Sequence, residues 1–283
     1  MPHDCILTLS CPDRTGIVYR VSGSLFEAGC NIDDAQQFGD ADSGRFFLRV
    51  HFHAPDDAAL ARVREGFAAL ADDYAMDWQL HDAQRKARLL VLVSRQGHCL
   101  NDLLFRTHTG QLPATIAAVV SNHRDHEALA DSYGVPFHHL PVTADTKHEQ
   151  ERAILDLAAT ERIDLVVLAR YMQILSADLC RALAGRAINI HHSFLPSFKG
   201  ARPYHQAHAR GVKIIGATAH YVTGDLDEGP IIEQEVIRID HTHDPRRLAT
   251  VGSDAEASAL SRAVRWHSEN RVLMNGTSTV VFS

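Results

Sequence analysis

No apolar run in the chain is longer than a strand needs. The longest stretches, such as Leu89-Leu90-Val91-Leu92-Val93, are far too short to span a bilayer. Nor is there an excess of positive charge. The 28 lysines and arginines stand against 35 aspartates and glutamates, giving a formal net charge of −7. Nucleic acid and anionic membrane surfaces would find little to hold. Cysteines are few and scattered: Cys5, Cys11, Cys30, Cys99 and Cys180 are odd in number and show no CxxC spacing. They read as reduced thiols, not as a disulfide frame or zinc site. No basic segment followed by an apolar one opens the chain, so no secretory leader is expected. HExxH is absent, and the pairs His138-His139 and His191-His192 cannot both turn toward one ion from a strand. No metal site and no cofactor are therefore expected. No internal repeat or low-complexity tract appears. These absences point to a soluble cytoplasmic protein.

What is present is ordinary globular material: 283 residues, 45% hydrophobic and 22% charged, enough for two domains. Residues 4–10 read as a strand. Cys11-Pro12-Asp13-Arg14-Thr15-Gly16 reads as a turn, with Asp13 or Thr15 placed to cap a helix that follows to about Gly29. Two strand-like segments around a Gly39-Asp40-Ala41-Asp42-Ser43-Gly44 turn, an alanine-rich helix and a strand near 74–80 complete a β-α-β-β-α-β order, the ferredoxin-like α+β arrangement. After a polar linker at 84–88, strands alternate with helices: a buried strand at 89–94, then others near 114–121, 136–140, 165–169 and 188–191. That alternation predicts a doubly wound, Rossmann-like α/β sheet. The expected domains are thus 1–83 and 89–283, the second closing on a long amphipathic helix and one final strand, Ser278 to Phe282.

The stretch from Ile188 to Pro230 carries the chemistry. In an extended strand, side chains two apart share a face. Asn189 and His191 therefore project together while Ile188 and Ile190 pack the other way, and strand ends of open α/β sheets are where ligands bind. The carboxylate of Asp227, in the later turn Asp227-Glu228-Gly229-Pro230, is the natural third member. An amide to hold an oxyanion, an imidazole to share a proton and a carboxylate to accept one are the equipment of acyl chemistry. Taken singly, each has a structural alternative as loop cap, pocket filler or turn closer.

The segments NIHHSFLPSFKGARPYHQA and GATAHYV, followed by DLDEGPI, resemble the folate-dependent formyltransferase family. That resemblance implies catalytic roles for Asn189, His191 and Asp227, with His220 in support. It also implies a pterin-recognising segment at Met172, Gln173, Ile174 and Leu175, where Gln173 stands in place of the basic residue found in many relatives. The loop Asp13-Arg14-Thr15-Gly16-Ile17 resembles the effector loop of ACT domains, which implies a small amino-acid effector and a homo-oligomer. Combined, the two resemble the hydrolytic branch of the family. The implied reaction is hydrolysis of 10-formyltetrahydrofolate, with Asp227 as general base and Asn189 and His191 stabilising the oxyanion. Two alternatives stand beside it: formyl transfer to an amine such as glycinamide ribonucleotide, and a silent folate or amino-acid sensor. Family transferases cradle the acceptor's phosphate on a glycine-rich loop. The equivalent loop here, Ser94 to Asp102, keeps one glycine and carries His98 and Cys99, with Arg95 and His98 left to meet an anion.

Overall fold

The computed structural model describes residues 2–195 and 203–283. The chain divides into two compact units: Met1–Lys86 together with Glu269–Ser283, and Ala87–Ser268.

In the first unit, strands β1 (His3–Pro12), β2 (Asn31–Asp40), β3 (Arg45–Ala54) and β4 (Asp77–Asp82) form an antiparallel sheet in the order β2-β3-β1-β4. Helices α1 (Ile17–Glu27) and α2 (Asp57–Tyr74) pack on it. Strand period decides which residues meet them: Phe46, Leu48, Val50 and Phe52 of β3 join Val21 and Leu25 of α1 and Val63 and Phe67 of α2 in one core. The helix cap expected from Asp13 or Thr15 is not made. Gly16 takes the N-cap position of α1 in the left-handed region, φ 92°, without a side-chain cap. A glycine reaches that backbone shape at no steric cost.

The other face of this sheet shows where the sequence reading and the structure differ. Phe47, one residue out of phase, is fully buried against Leu273, Val280 and Phe282. These belong to a C-terminal hairpin, β12 (Val272–Asn275) and β13 (Ser278–Val281), turned through Gly276 at φ 61°. The sequence predicts one final strand there, belonging to the second domain. In the structure it has a partner and groups with the first unit, where Asn275 donates to the Asp40 carboxylate at 2.7 Å.

The second unit holds a seven-stranded sheet, in which β5 (Ala87–Val93), β6 (Ala114–Ser121), β7 (Phe137–His139), β8 (Leu165–Leu168) and β9 (Ala187–His191) run parallel. β10 (Ile214–Tyr221) and β11 (Ile231–Arg238) continue it antiparallel, giving the order β11-β10-β9-β8-β5-β6-β7. The strand order reverses between β5 and β8, which opens a crevice beyond their carboxyl ends. The connecting helices are α3 (His98–His108), α4 (Glu127–Ser132), α5 (Lys147–Thr160), α6 (Ala177–Ala182) and α7 (Pro203–Arg210), and α8 (Pro245–Ser268) closes the unit. The central strands read as continuous apolar runs because both faces are covered: Leu89 through Val93 are all fully buried. Among the described residues, no helix is long and apolar enough to cross a membrane.

Candidate active site

β9 delivers two of the expected residues and β10 a third. Asn189 and His191 end β9 at the cleft, and Ile188 and Ile190 beside them are buried. β10 runs antiparallel beside β9 with His220 opposite Asn189. The supporting residue expected at His220 thus lies on the strand next to Asn189. The Asn189 amide nitrogen lies 3.2 Å from His220 Nε2. His220 Nδ1 donates to the Tyr221 carbonyl at 2.9 Å, so in the neutral ring Nε2 carries the lone pair and accepts from the Asn189 amide.

Asp227 arrives from the turn after β10. Its carboxylate is 3.2 Å from His191 Nδ1 and 3.7 Å from His220 Nε2. The hydrogen bond from His191 is the main cause that holds this carboxyl well below the usual carboxylate range, against the opposing effect of burial. Its backbone is left-handed, φ 58°, a conformation uncommon outside glycine but better tolerated by Asp and Asn. Two residues on, a Cβ on Gly229 would sit 1.7 Å from the Tyr221 carbonyl oxygen. Only glycine lets the turn lie that close against β10 and bring Asp227 over the strand end.

His192 stacks on His191 with ring centroids 4.8 Å apart. Burial first, then the charges of Arg170 and His191, bring its pKa down to about 4. Thr218 and Gln234, which the sequence did not single out, steady the following loop. The Thr218 hydroxyl donates to the Ser193 carbonyl at 3.0 Å and accepts from the Leu195 amide at 3.1 Å, and Gln234 donates to the Leu195 carbonyl at 3.0 Å. Residues 196–202 of the motif lie outside the described residues.

These groups border an open cleft of about 650 Å³ that also takes in Met172, Gln173, Ile174 and Leu175. The segment follows β8 as irregular chain, with Arg170 at φ 64° and the Met172 amide donating to Ser94 Oγ at 3.0 Å. Ile174 is 65% exposed, so it is no core residue, whereas Leu175 packs partly against the core. The cleft thus offers an apolar side along Met172, Ile174 and Leu175 and a polar end with the imidazoles of His191, His192 and His220, the Asn189 amide and the Asp227 carboxylate.

In the first unit, Asp13, Arg14, Thr15 and Gly16 are exposed and Ile17 is buried. The Arg14 guanidinium lies over the Tyr74 ring, 3.5 Å from its centroid, and donates to the Asp73 carbonyl. It is thereby committed to the end of α2.

Residues 87–264 match the formyl transferase family and residues 6–65 the ACT domain family. The formyltetrahydrofolate deformylase of a Corynebacterium species is 52% identical, over 98% of this chain and 97% of that protein. This chain belongs to the formyltetrahydrofolate deformylase family. A crystal structure of such a deformylase from Burkholderia mallei superposes with a TM-score of 0.95 at 52% identity, covering 99% of this chain and all of that one. A glycinamide ribonucleotide transformylase from Symbiobacterium toebii matches at a TM-score of 0.65 and 28% identity, over 70% of this chain. The deformylases therefore share both units with this chain. Asn189, His191, His220 and Asp227 all fall within the formyl transferase match.

Proposed function

We propose that this chain hydrolyses 10-formyltetrahydrofolate to tetrahydrofolate and formate, with Asn189, His191 and Asp227 at the reacting centre. The observation that carries the reading is the His191–Asp227 pair, 3.2 Å apart, set beside the Asn189 amide at the polar end of the large cleft. The pteridine would lie along Met172 to Leu175, presenting the N10 formyl carbon to that end.

Water adds to the formyl carbon and its proton passes to Asp227, while the carbonyl oxygen gains negative charge. The Asn189 N–H and the His191 imidazolium stabilise that charge in a partly enclosed site. A carboxylate paired this strongly is a weak base at rest. As the oxyanion forms, it draws on the positive charge of His191, and Asp227 becomes more basic when the proton must be taken. Collapse breaks the C–N bond as N10 takes the proton held by Asp227, and formic acid leaves and ionises to formate. His220 acts as a positioning residue, holding the Asn189 amide by its Nε2 lone pair.

Transfer to an amine would require an acceptor site, and the groups at the start of α3 are already engaged. Cys99 is fully buried there and His98 is engaged by Glu256 at 2.8 Å. Formate release from 10-formyltetrahydrofolate, measured with and without glycinamide ribonucleotide, tests the reading. Release without acceptor is expected. Strict dependence on acceptor supports transfer, and binding without turnover supports a sensor.

The first unit is read as a regulatory module that takes a small amino acid at the exposed Asp13 to Gly16 loop and self-associates. Support for self-association comes from the outward face of α1, where Tyr19 is 79% and Phe26 81% exposed, beside the exposed edge strand β2. Calorimetry against a panel of free amino acids tests the effector.

A further inference from the structure

Glu256 has no part in the chemistry above, yet it is among the most deeply buried charged residues, 2% exposed. It projects from α8 to the first turn of α3. Its Oε2 is 2.8 Å from His98 Nε2 and 3.3 Å from the Nε of Arg170, itself 7% exposed. The Cys99 thiol, next along α3, is pushed well up by burial first and by Glu256 second, so it stays protonated. A buried carboxylate is costly unless cations answer it. Here two groups able to carry positive charge do so.

The location gives this pair of contacts a meaning. α3 begins at Gly97 with no side-chain cap, and a helix start with nearby cations favours an anion. Beside it lies a smaller polar cavity of about 220 Å³, lined by Ser94, Arg95, Gln96, Asn122 and His123. That cavity shares Arg170, Met172 and Gln173 with the large cleft. A second reactant approaching the formyl group from the β5 side would be anchored here. If it carried a phosphate, Arg95 and Arg170 of the cavity lining, with His98 and the first amides of α3 next along the chain, are the groups it would meet.

We propose that Glu256 is a specificity-determining residue. Its carboxylate acts as a built-in anion that occupies His98 and Arg170 and so denies the adjoining cavity to phosphate-bearing acceptors, leaving the formyl group to water. The proposal rests on the hydrolase reading. The side chains of His98, Cys99 and Glu256 also bring metal-ligand atoms within 4.8 Å of one another. The Arg170 guanidinium already supplies positive charge to the same carboxylate oxygen, which disfavours a cation there.

Inorganic phosphate is the probe, titrated calorimetrically into the full-length protein at constant ionic strength. The wild type is expected to show no saturable site at millimolar concentration. Glu256→Gln, which keeps a hydrogen-bonding side chain but removes the charge, is expected to bind one phosphate per chain at least about tenfold more tightly, since a like charge has gone and His98 and the Arg170 guanidinium have lost their carboxylate partner. Saturable binding by the wild type, or a folded variant that binds no better than wild type, overturns the proposal. Should the variant not fold, the wild-type titration still decides, joined by phosphate inhibition of formate release: competitive inhibition of the wild type at low millimolar phosphate counts against it. Because calorimetry needs no turnover, absent formate release with the expected binding would overturn the hydrolase reading alone.

Discussion

The side-chain amide of Asn189 and Nε2 of His220 face each other across adjacent antiparallel strands at 3.2 Å. One N–H of the amide is thereby spoken for, at a residue that lines the cleft. Replacing His220 by Ala frees the amide to rotate. A fall in kcat of about 10–100-fold with KM changed much less is expected, as for other groups that orient a reacting residue. Equal effects on kcat and KM, or none, would show that His220 only fills space.

Asp227→Asn keeps the side-chain size and suits the left-handed backbone at φ 58°. Steady-state kinetics should show kcat reduced by about 10²–10⁴-fold, the range of general-base contributions, while folate binding persists. Turnover near wild type would remove Asp227 from the role of base. Asn189→Ala should lower kcat by about 10²–10³-fold through the lost oxyanion donor.

Gly229→Ala tests the turn. The added methyl would lie 1.7 Å from the Tyr221 carbonyl, so the chain must shift and carry Asp227 with it. Displacement of about 1 Å costs roughly 10²-fold in rate, and crowding of this kind costs about 1–3 kcal/mol in stability. Kinetics and thermal melts measure the two separately, and an unaffected kcat would mean that the turn is looser than it stands here.

His192 ties stability to pH. Its folded pKa is depressed to about 4 from 6.5, so between those values the unfolded chain takes up a proton that the native chain refuses. Stability therefore falls as pH drops from about 6.5 toward 4, by up to about 3 kcal/mol at 1.36 kcal/mol per unit. Asp227, whose folded pKa is also depressed, adds its loss lower, only as pH falls below about 3.9. Denaturant unfolding at pH 7 and pH 4.5 should show a smaller difference in His192→Asn than in wild type; an identical difference would refute the assignment.

Self-association is expected to run through α1. Light scattering should report a multiple of the chain mass for the wild type, reduced when Tyr19 and Phe26 are both replaced by Glu. A monomeric wild type would leave those two rings without a purpose.

Much of this site could be read from the chain because its logic is local. Period two places Asn189 and His191 on one face, and the strand ends where the apolar run ends. Asp227 was visible through its turn motif, but the left-handed backbone that aims it, and the reason Gly229 cannot change, appear only once β10 is laid beside the turn. The place of His220 beside Asn189 was not legible because strand order is a long-range property: nothing in residues 214–221 says that they lie antiparallel to β9. Thr218, Gln234 and Glu256 were missed for the same reason, since each acts on a segment at least 20 residues away. In the first unit the β-α-β-β-α-β order was plain from turns and alternation. The Asn275-Gly276 pair was a usable hairpin signal, yet the surface that hairpin covers, around Phe47, lies more than 200 residues earlier.

That hairpin makes the second unit an insertion within the first. Residues 87–268 can be excised as one continuous piece, but cutting the chain once near residue 86 strips the amino-terminal fragment of the strands that cover Phe47. Anyone testing the first unit for effector binding in isolation should keep Glu269–Ser283 with it, or expect a sticky, half-finished sheet.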